Sequence, residues 1–246
     1  MEAIKDQVIA ITGASSGIGM ATAQVLAGMG ARLVIGARRM DRLDELAGSL
    51  RQHGAQVLTV ALDVRQRASV QNFVDLAVST YGRIDVLINN AGVMPLSKLS
   101  VGKVDEWEDT IDINVKGVLY GIAAALPRMK AQGMGHLISV ASIGAHHAFP
   151  GAAVYCGSKF AVWAICEALR QEELDGDIRV TTISPGTIRS ELADSITDAD
   201  AAAAMRDFRA VTIEPEAIAQ AIAYAIAQPR EVSVSEVVVR PTRSPA

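Results

Sequence analysis

The chain has 246 residues and a formal charge of −4; half of its residues are hydrophobic but only 4% aromatic. That length suits one large α/β domain or two small ones, and so mild a charge gives no electrostatic reason to bind nucleic acid or anionic lipid. No apolar run reaches the roughly 18 residues of a membrane span, and the opening MEAIKDQ lacks the basic-then-apolar pattern of a signal peptide.

Short β-branched runs alternate with segments whose apolar residues recur at helical spacing. The runs Val8–Thr12, Arg32–Gly36, Gln56–Ala61, Ile84–Asn89, His136–Val140, Arg179–Ser184 and Val237–Arg240 read as strands. Nearly continuous apolar strands separated by helices predict a parallel sheet with helices on both faces. No linker, repeat or low-complexity block interrupts the pattern, so a single domain over residues 1–246 is expected.

The first strand runs into Gly13-Ala14-Ser15-Ser16-Gly17-Ile18-Gly19, which opens a helix. Glycines let the backbone approach a pyrophosphate, and a helix N-terminus offers free N–H groups and partial positive charge. Ser15 and Ser16 add hydroxyl donors. The alternative is a plain tight turn, and the position straight after strand one favours the phosphate. The second strand ends in Ala37-Arg38-Arg39. A dinucleotide fold that takes NAD usually places an acid there for the ribose 2′-hydroxyl. Two arginines instead match a 2′-phosphate, unless they merely cap the strand in solvent. NADP(H) is the expected cofactor. Asp63-Val64 ends the third strand, where the carboxylate either meets an adenine amine or closes a turn.

Ser142 follows the fifth strand, at the carboxyl edge of the sheet where doubly wound proteins bind ligands. Within the helical segment Ala152–Ala168, Tyr155 and Lys159 stand four apart and share a face. A phenol ionises near pH 10, whereas a general acid/base works best near the operating pH. A lysine ammonium at about 4 Å, in an effective dielectric of about 20, supplies roughly the 4 kcal/mol needed to bring it there. The alternative is an exposed helix pair. Cys156 and Cys166 lie about 15 Å apart along the same helix, too far for a disulfide. Two free thiols fit a reducing compartment, and a cytoplasmic location is expected. The segment is apolar on almost every side, which points to burial within one subunit or beneath a partner subunit. Arg189–Arg209 reads as a lid over a substrate or as a plain surface helix. Pro215 opens a last helix striped with Ile218, Ile222 and Ile226, and Pro229 follows it.

In combination these pieces resemble the short-chain dehydrogenase/reductase family, in its single-domain branch. The resemblance rests on TGASSGIG at 12–19, Asp63, Asn89-Asn90-Ala91-Gly92, Asn114, Ser142, Tyr155 with Lys159, and Pro185-Gly186. It implies an α/β, Rossmann-type doubly wound parallel sheet of about seven strands. It further implies that Tyr155 protonates a carbonyl oxygen as hydride arrives, that Ser142 steadies the developing charge, and that Lys159 holds the nicotinamide ribose. Asn114 would hold a water in a proton relay. Gly13, Ser15, Ser16, Ile18 and Gly19 would cradle the phosphates, with Arg38 and Arg39 as the NADP-selecting bases. Asp63, Val64, Asn90, Ala91 and Gly92 would line the adenosine side. Pro185, Gly186 and Ile188 would wall the nicotinamide, and Ser190 stands where the family often has threonine. The family assembly is a homotetramer and needs no metal. The histidines at 53, 136, 146 and 147 show no zinc spacing with the cysteines.

A substrate pocket is expected from Val93–Leu96, Ile143–Phe149 and the segment after Pro185, with Met94, Ile143, Ala145 and Phe149 as an apolar wall. His146 and His147 are either loop surface or substrate ligands. Asn90–Met94 and the closing Val239-Arg240-Pro241-Thr242 resemble a bacterial subgroup of broad alcohol dehydrogenases, 3-hydroxy-acid or serine dehydrogenases and clavulanate-type aldehyde reductases. The expected activity is an NADPH-dependent carbonyl reductase/alcohol dehydrogenase acting on a small ketone, aldehyde or alcohol. A 3-oxoacyl-carrier-protein reductase is the nearest competitor, but Val93-Met94-Pro95-Leu96 lacks the arginine that group tends to carry. An inactive NADP sensor would not need to retain Asn114, Ser142, Tyr155 and Lys159 together.

Overall fold

A computed structural model describes residues 3–244, so the two residues at each end of the expected 1–246 domain lie outside it. In chain order the regular elements are β1 (Val8–Thr12), α1 (Gly17–Gly28), β2 (Arg32–Ala37), α2 (Met40–Gln52), β3 (Gln56–Ala61) and α3 (Arg67–Tyr81). There follow β4 (Val86–Asn89), α4 (Val104–Ile111), a π-helical turn (Asp112–Lys116), α5 (Gly117–Gln132), β5 (Gly135–Val140) and α6 (Ala153–Glu172). The chain closes with β6 (Ile178–Pro185), α7 (Ala199–Phe208), α8 (Pro215–Ala227) and β7 (Glu236–Val239).

The seven strands form one sheet in the order β3-β2-β1-β4-β5-β6-β7, with every neighbouring pair parallel. Successive side chains of a strand face opposite ways, and the core divides accordingly. Ile9, Ile11, Leu33 and Ile35 join Leu26 of α1, Leu43 and Leu50 of α2, and Ile218, Ile222 and Ile226 of α8. Val8, Ala10 and Val34 join Phe73 of α3, Met129 of α5, and Val162 and Leu169 of α6. Both faces are covered, which is why these strands are nearly all apolar instead of alternating. Each fully buried aliphatic side chain contributes about 1.5–3 kcal/mol, so an aromatic-poor composition still makes a large core.

Seven expected strands are present with ends shifted by a residue or two. The fourth begins at Val86, not Ile84, because the Gln132 side chain takes both Ile84 backbone groups: its Oε1 accepts from the Ile84 N–H and its Nε2 donates to the Ile84 carbonyl. Residue 84 therefore has no ladder partner to seek. Helix α6 runs beyond the expected Ala168 to Glu172, and its inward face carries Tyr155, Lys159, Val162, Cys166 and Leu169. Its outward face leaves Phe160 exposed.

Chain order fixes where a ligand can sit. From β1 the chain winds outward to β2 and β3, then returns to β4 on the other side of β1. The connections therefore leave β1 and β4 in opposite directions, opening a crevice at their carboxyl ends.

Candidate active site

The crevice is a cleft of about 760 Å³. Its floor is stitched across β1 and β4: Thr12 Oγ1 accepts from the Asn90 and Ala91 N–H groups, each at 3.0 Å, and Asn90 Nδ2 donates to the carbonyls of Thr12 and Gly13. Gly13 has φ +68°, and a Cβ there would stand 2.7 Å from Ala91 Cα. Gly19 would bring a Cβ within 2.5 Å of both Asn90 Nδ2 and the Gly13 carbonyl. Only glycine permits this approach, which leaves the turn's backbone open on the cleft side. Gly13, Ser15, Ser16 and Ile18 line the cleft, whereas Gly19 packs behind the turn instead of facing it. Ser16, the N-cap of α1, makes no capping side-chain bond, and the helix has no acid in its first turn. Its N-terminus is thus suited to an anion.

At one end of the cleft the carboxyl tips of β2 and β3 bring in Arg38, Arg39, Asp63 and Val64. Arg39 donates to Ser15 Oγ and, at 2.7 Å, to Ser16 Oγ. Arg38 makes no side-chain hydrogen bond or ion pair among the described residues, and it lowers the Asp63 pKa through space. Asp63 is a turn residue as well as a lining one. Its Oδ1 accepts from the Arg65 backbone, and both oxygens take the Arg65 guanidinium, which holds its carboxyl below the usual range. Asn90, Ala91 and Gly92 continue the wall toward the centre.

At the centre stand Ser142, Tyr155 and Lys159, all buried and all lining the cleft. Ser142 leaves β5 in extended geometry, and its Oγ accepts from the Gly144 N–H at 3.0 Å, starting a single 3₁₀ turn over Ile143–Ala145. Lys159 Nζ donates to the Val140 carbonyl at 2.9 Å and lies 5.8 Å from the centre of the Tyr155 ring. Burial pushes the phenol up to about 12, against which its hydrogen bond with Ser142 works. Burial also brings Lys159 down to about 8. The expected lowering of the Tyr155 pKa by Lys159 is therefore not found in the protein alone. The ammonium is spent on the Val140 carbonyl, and burial of the phenol, opposed only by its hydrogen bond with Ser142, sets the direction of the shift.

Asn114 sits behind this group on the π-helical turn, a distortion that often marks functional sites. Its Oδ1 accepts from the Val93 N–H, and its Nδ2 donates to the Val93 carbonyl and to Ser158 Oγ. It thereby ties the strand end beyond Gly92 to α6, one residue from Lys159.

Pro185, Gly186, Ile188 and Ser190 form the far wall, and Arg209 steadies it by donating to the carbonyls of Ile188 and Ser190. Near Tyr155 the cleft lining is apolar: Met94, Ile143, Phe149, Met205 and Phe208 line it, and Met94, Phe149 and Met205 pack in one cluster with Tyr155. The Phe149 and Phe208 rings meet at 5.8 Å. The segment after Ser190 is thus one wall of the cleft, not a detached surface helix.

Two expected substrate contacts lie elsewhere. Ala145 is buried in the core beneath the sheet, because the 3₁₀ turn rotates it inward. His146 points away from the cleft: its Nε2 is 2.8 Å from Glu236 Oε1 and 3.3 Å from Ser184 Oγ, and its ring meets Trp163 edge-on. His147 is exposed. Conversely, Gly17, Leu96, Glu191, Leu192, Met205 and Phe208 line the cleft without having been singled out. Gly17 lies inside the glycine turn, Leu96 inside the expected Val93–Leu96 pocket segment, and the other four inside Arg189–Arg209, whose reading as a substrate lid places the segment but not the individual side chains. Among the described residues no helix is long and apolar enough to cross a membrane, and no three His, Cys, Asp or Glu side chains converge as metal ligands.

Comparison with known proteins adds a family to this geometry. Residues 7–201 match the family described as short chain dehydrogenase. An uncharacterized oxidoreductase of Staphylococcus saprophyticus is 48% identical over 244 residues, covering 98% of each chain. An alcohol dehydrogenase from the archaeon Thermococcus sibiricus, solved with 5-hydroxy-NADP, superposes with a TM-score of 0.87 at 29% identity over 97% of each chain. A short-chain dehydrogenase/reductase from Burkholderia phymatum, solved with NAD, gives a TM-score of 0.89 at 27% identity over 97% of this chain and 90% of that one. A parallel seven-stranded sheet, a family match over most of the chain and a relative nearly half identical end to end make this protein an oxidoreductase of the short-chain dehydrogenase/reductase family.

Proposed function

We propose that the chain is an NADPH-dependent carbonyl reductase/alcohol dehydrogenase, acting on a small ketone or aldehyde and, in reverse, on the corresponding alcohol. The observation that carries this reading is a buried phenol beside the Ser142 hydroxyl and the Lys159 ammonium, lining the cleft and packed with the apolar side chains of Met94, Phe149 and Met205. A phenol is protonated at neutral pH, as a proton donor in reduction must be; burial raises its pKa to about 12 and so makes the proton harder to give up, which the hydrogen bond with Ser142 opposes.

The residues present fit a dinucleotide phosphate. The glycine turn leaves a backbone cradle, the α1 N-terminus is uncapped by side chains, and Arg38 and Arg39 supply cationic forks at the adenosine end. When bound, NADPH supplies a hydride. Gly13, Ser15, Ser16, Ile18 and Gly19 would shape and line its phosphate cradle. Asp63, Val64 and Asn90 to Gly92 would flank the adenosine, and Pro185, Gly186, Ile188 and Ser190 the nicotinamide end. Tyr155 gives its proton to the carbonyl oxygen while Ser142 stabilises charge there. Lys159 holds the ribose and replenishes the proton path, and Asn114 keeps α6 in register with the strand end beyond Gly92. Met94, Ile143 and Phe149 receive the apolar substituents of the substrate.

The test is depletion of NADPH absorbance with a panel of ketones, aldehydes and 3-oxo acids, run alongside alcohols with NADP⁺. Turnover is expected with apolar carbonyl compounds. No turnover in either direction, by protein that binds NADPH, would overturn the reading.

The assembly we propose is a homotetramer. Val104, Ile111, Leu119 and Phe160 expose apolar side chains on α4 to α6, and β7 is an unpaired sheet edge. Light scattering at micromolar concentration is expected to give about four times the 25.9 kDa chain mass; a monomer there would refute it. The buried free Cys156 and Cys166 support a reducing, cytoplasmic setting, and a net charge of −4 gives no electrostatic support to nucleic acid or an anionic membrane as partner.

A further inference from the structure

A charge network at the cleft's edge takes no part in the proton chemistry. Glu191, the first residue of the 3₁₀ turn Glu191–Ser195, reaches back across the cleft to the start of α2. Its Oε2 accepts from Arg39 Nη1 at 2.8 Å and its Oε1 from Arg42 Nη1 at 2.7 Å. The other nitrogens of Arg39 hold the hydroxyls of Ser15 and Ser16. One guanidinium therefore joins the phosphate turn to the far wall, and the anion it holds is a carboxylate of the protein itself. The hydrogen bonds from Arg39 and Arg42 keep the Glu191 carboxyl below its ordinary range. Both members are about half exposed, with 42% of the Arg39 side chain and 47% of the Glu191 side chain in solvent. An exposed pair of this kind shifts an equilibrium by no more than about fivefold, so the link is exchangeable.

A phosphate monoester carries up to two negative charges and three acceptor oxygens, and it fits an arginine fork at least as well as a carboxylate does. We propose that Glu191 is a specificity-determining residue that competes with the cofactor's 2′-phosphate for Arg39. This rests on the NADP reading above. A 2′-phosphate must displace Glu191 from Arg39 to be bound there, whereas a dinucleotide with a free 2′-hydroxyl leaves the link in place. The carboxylate thus moderates the preference for NADPH, and the phosphate breaks its link to Arg39 while Arg42 keeps hold of it.

The experiment is equilibrium binding by calorimetry, at constant low ionic strength, of NADPH, NADH, 2′,5′-ADP and 5′-AMP to the wild type and to Glu191→Gln. The substitution conserves shape at a solvent-exposed position, so the fold is kept. The dissociation constants for NADPH and 2′,5′-ADP are expected to fall about two- to fivefold, with those for NADH and 5′-AMP unchanged. Arg42→Ala, which removes the second partner of Glu191, is expected to weaken binding of both phosphorylated ligands slightly, by leaving Glu191 more firmly on Arg39. If Glu191→Gln binds NADPH no better or less well than the wild type, Glu191 orients Arg39 and the competition is refuted. If the wild type does not prefer 2′,5′-ADP to 5′-AMP, the NADP reading itself fails and the inference falls with it.

Discussion

Tyr155→Phe is expected to lower kcat for carbonyl reduction by about 10²- to 10⁴-fold, the range for loss of a positioned general acid. NADPH affinity should stay within about twofold, because an interaction made only in the transition state leaves binding unaffected. The substitution removes one oxygen and keeps a ring that packs against Gly144, whose added Cβ would lie 3.4 Å from Tyr155 Cε1. A comparable fall in cofactor binding would mean that the phenol organises the site and does not deliver the proton. The same unit has a pH signature. Burial places the Lys159 ammonium at about 8, so kcat/KM for reduction is expected to fall as pH rises through that value. Above it the lysine is neutral, and the charge that would favour proton departure from Tyr155 is lost. A plateau extending to about pH 10, where an ordinary phenol ionises, would detach Lys159 from the donor. Stopped-flow single turnovers and a full pH profile measure both effects.

What the sequence made legible here is local, and what it hid is tertiary. The strands were readable because parallel strands covered on both faces are continuous apolar runs, and Tyr155 and Lys159 because four residues make about one helical turn. The sign of the Tyr155 shift was not readable. Spacing puts two groups on one face, but it does not say that Nζ turns to the Val140 carbonyl or that the phenol is buried. His146 was misplaced for a related reason. It follows the Ser142 turn in the chain, yet Glu236, the first residue of β7, holds its ring away from the cleft. Ala145 belongs to the same turn and is rotated into the core by its 3₁₀ geometry. Glu191, Met205 and Phe208 reach the cleft only because the chain after Ser190 folds back over it, a connection that no short motif encodes.

Replacing Arg38 and Arg39 together with alanine should raise the dissociation constant for NADPH about 10- to 30-fold and change that for NADH by less than about twofold. A hydrogen bond to a charged group contributes about 1.5–3 kcal/mol. The Arg39 side chain is 42% exposed, however, so the pair is assigned the lower part of that range in total. The two arginines do different work, and the single variants separate it. Arg38 has no side-chain hydrogen bond or ion pair to lose among the described residues, so apart from its through-space pull on Asp63, Arg38→Ala reports on the phosphate. Arg39→Ala also frees Ser15, Ser16 and Glu191, so its effect includes any loosening of the phosphate turn. Added salt should erode the advantage of NADPH over NADH in the wild type, since these cations lie where ions screen them. In the double variant little advantage should remain to erode. Losses of equal size for both cofactors would assign the arginines to the ordering of the turn and remove them from phosphate recognition.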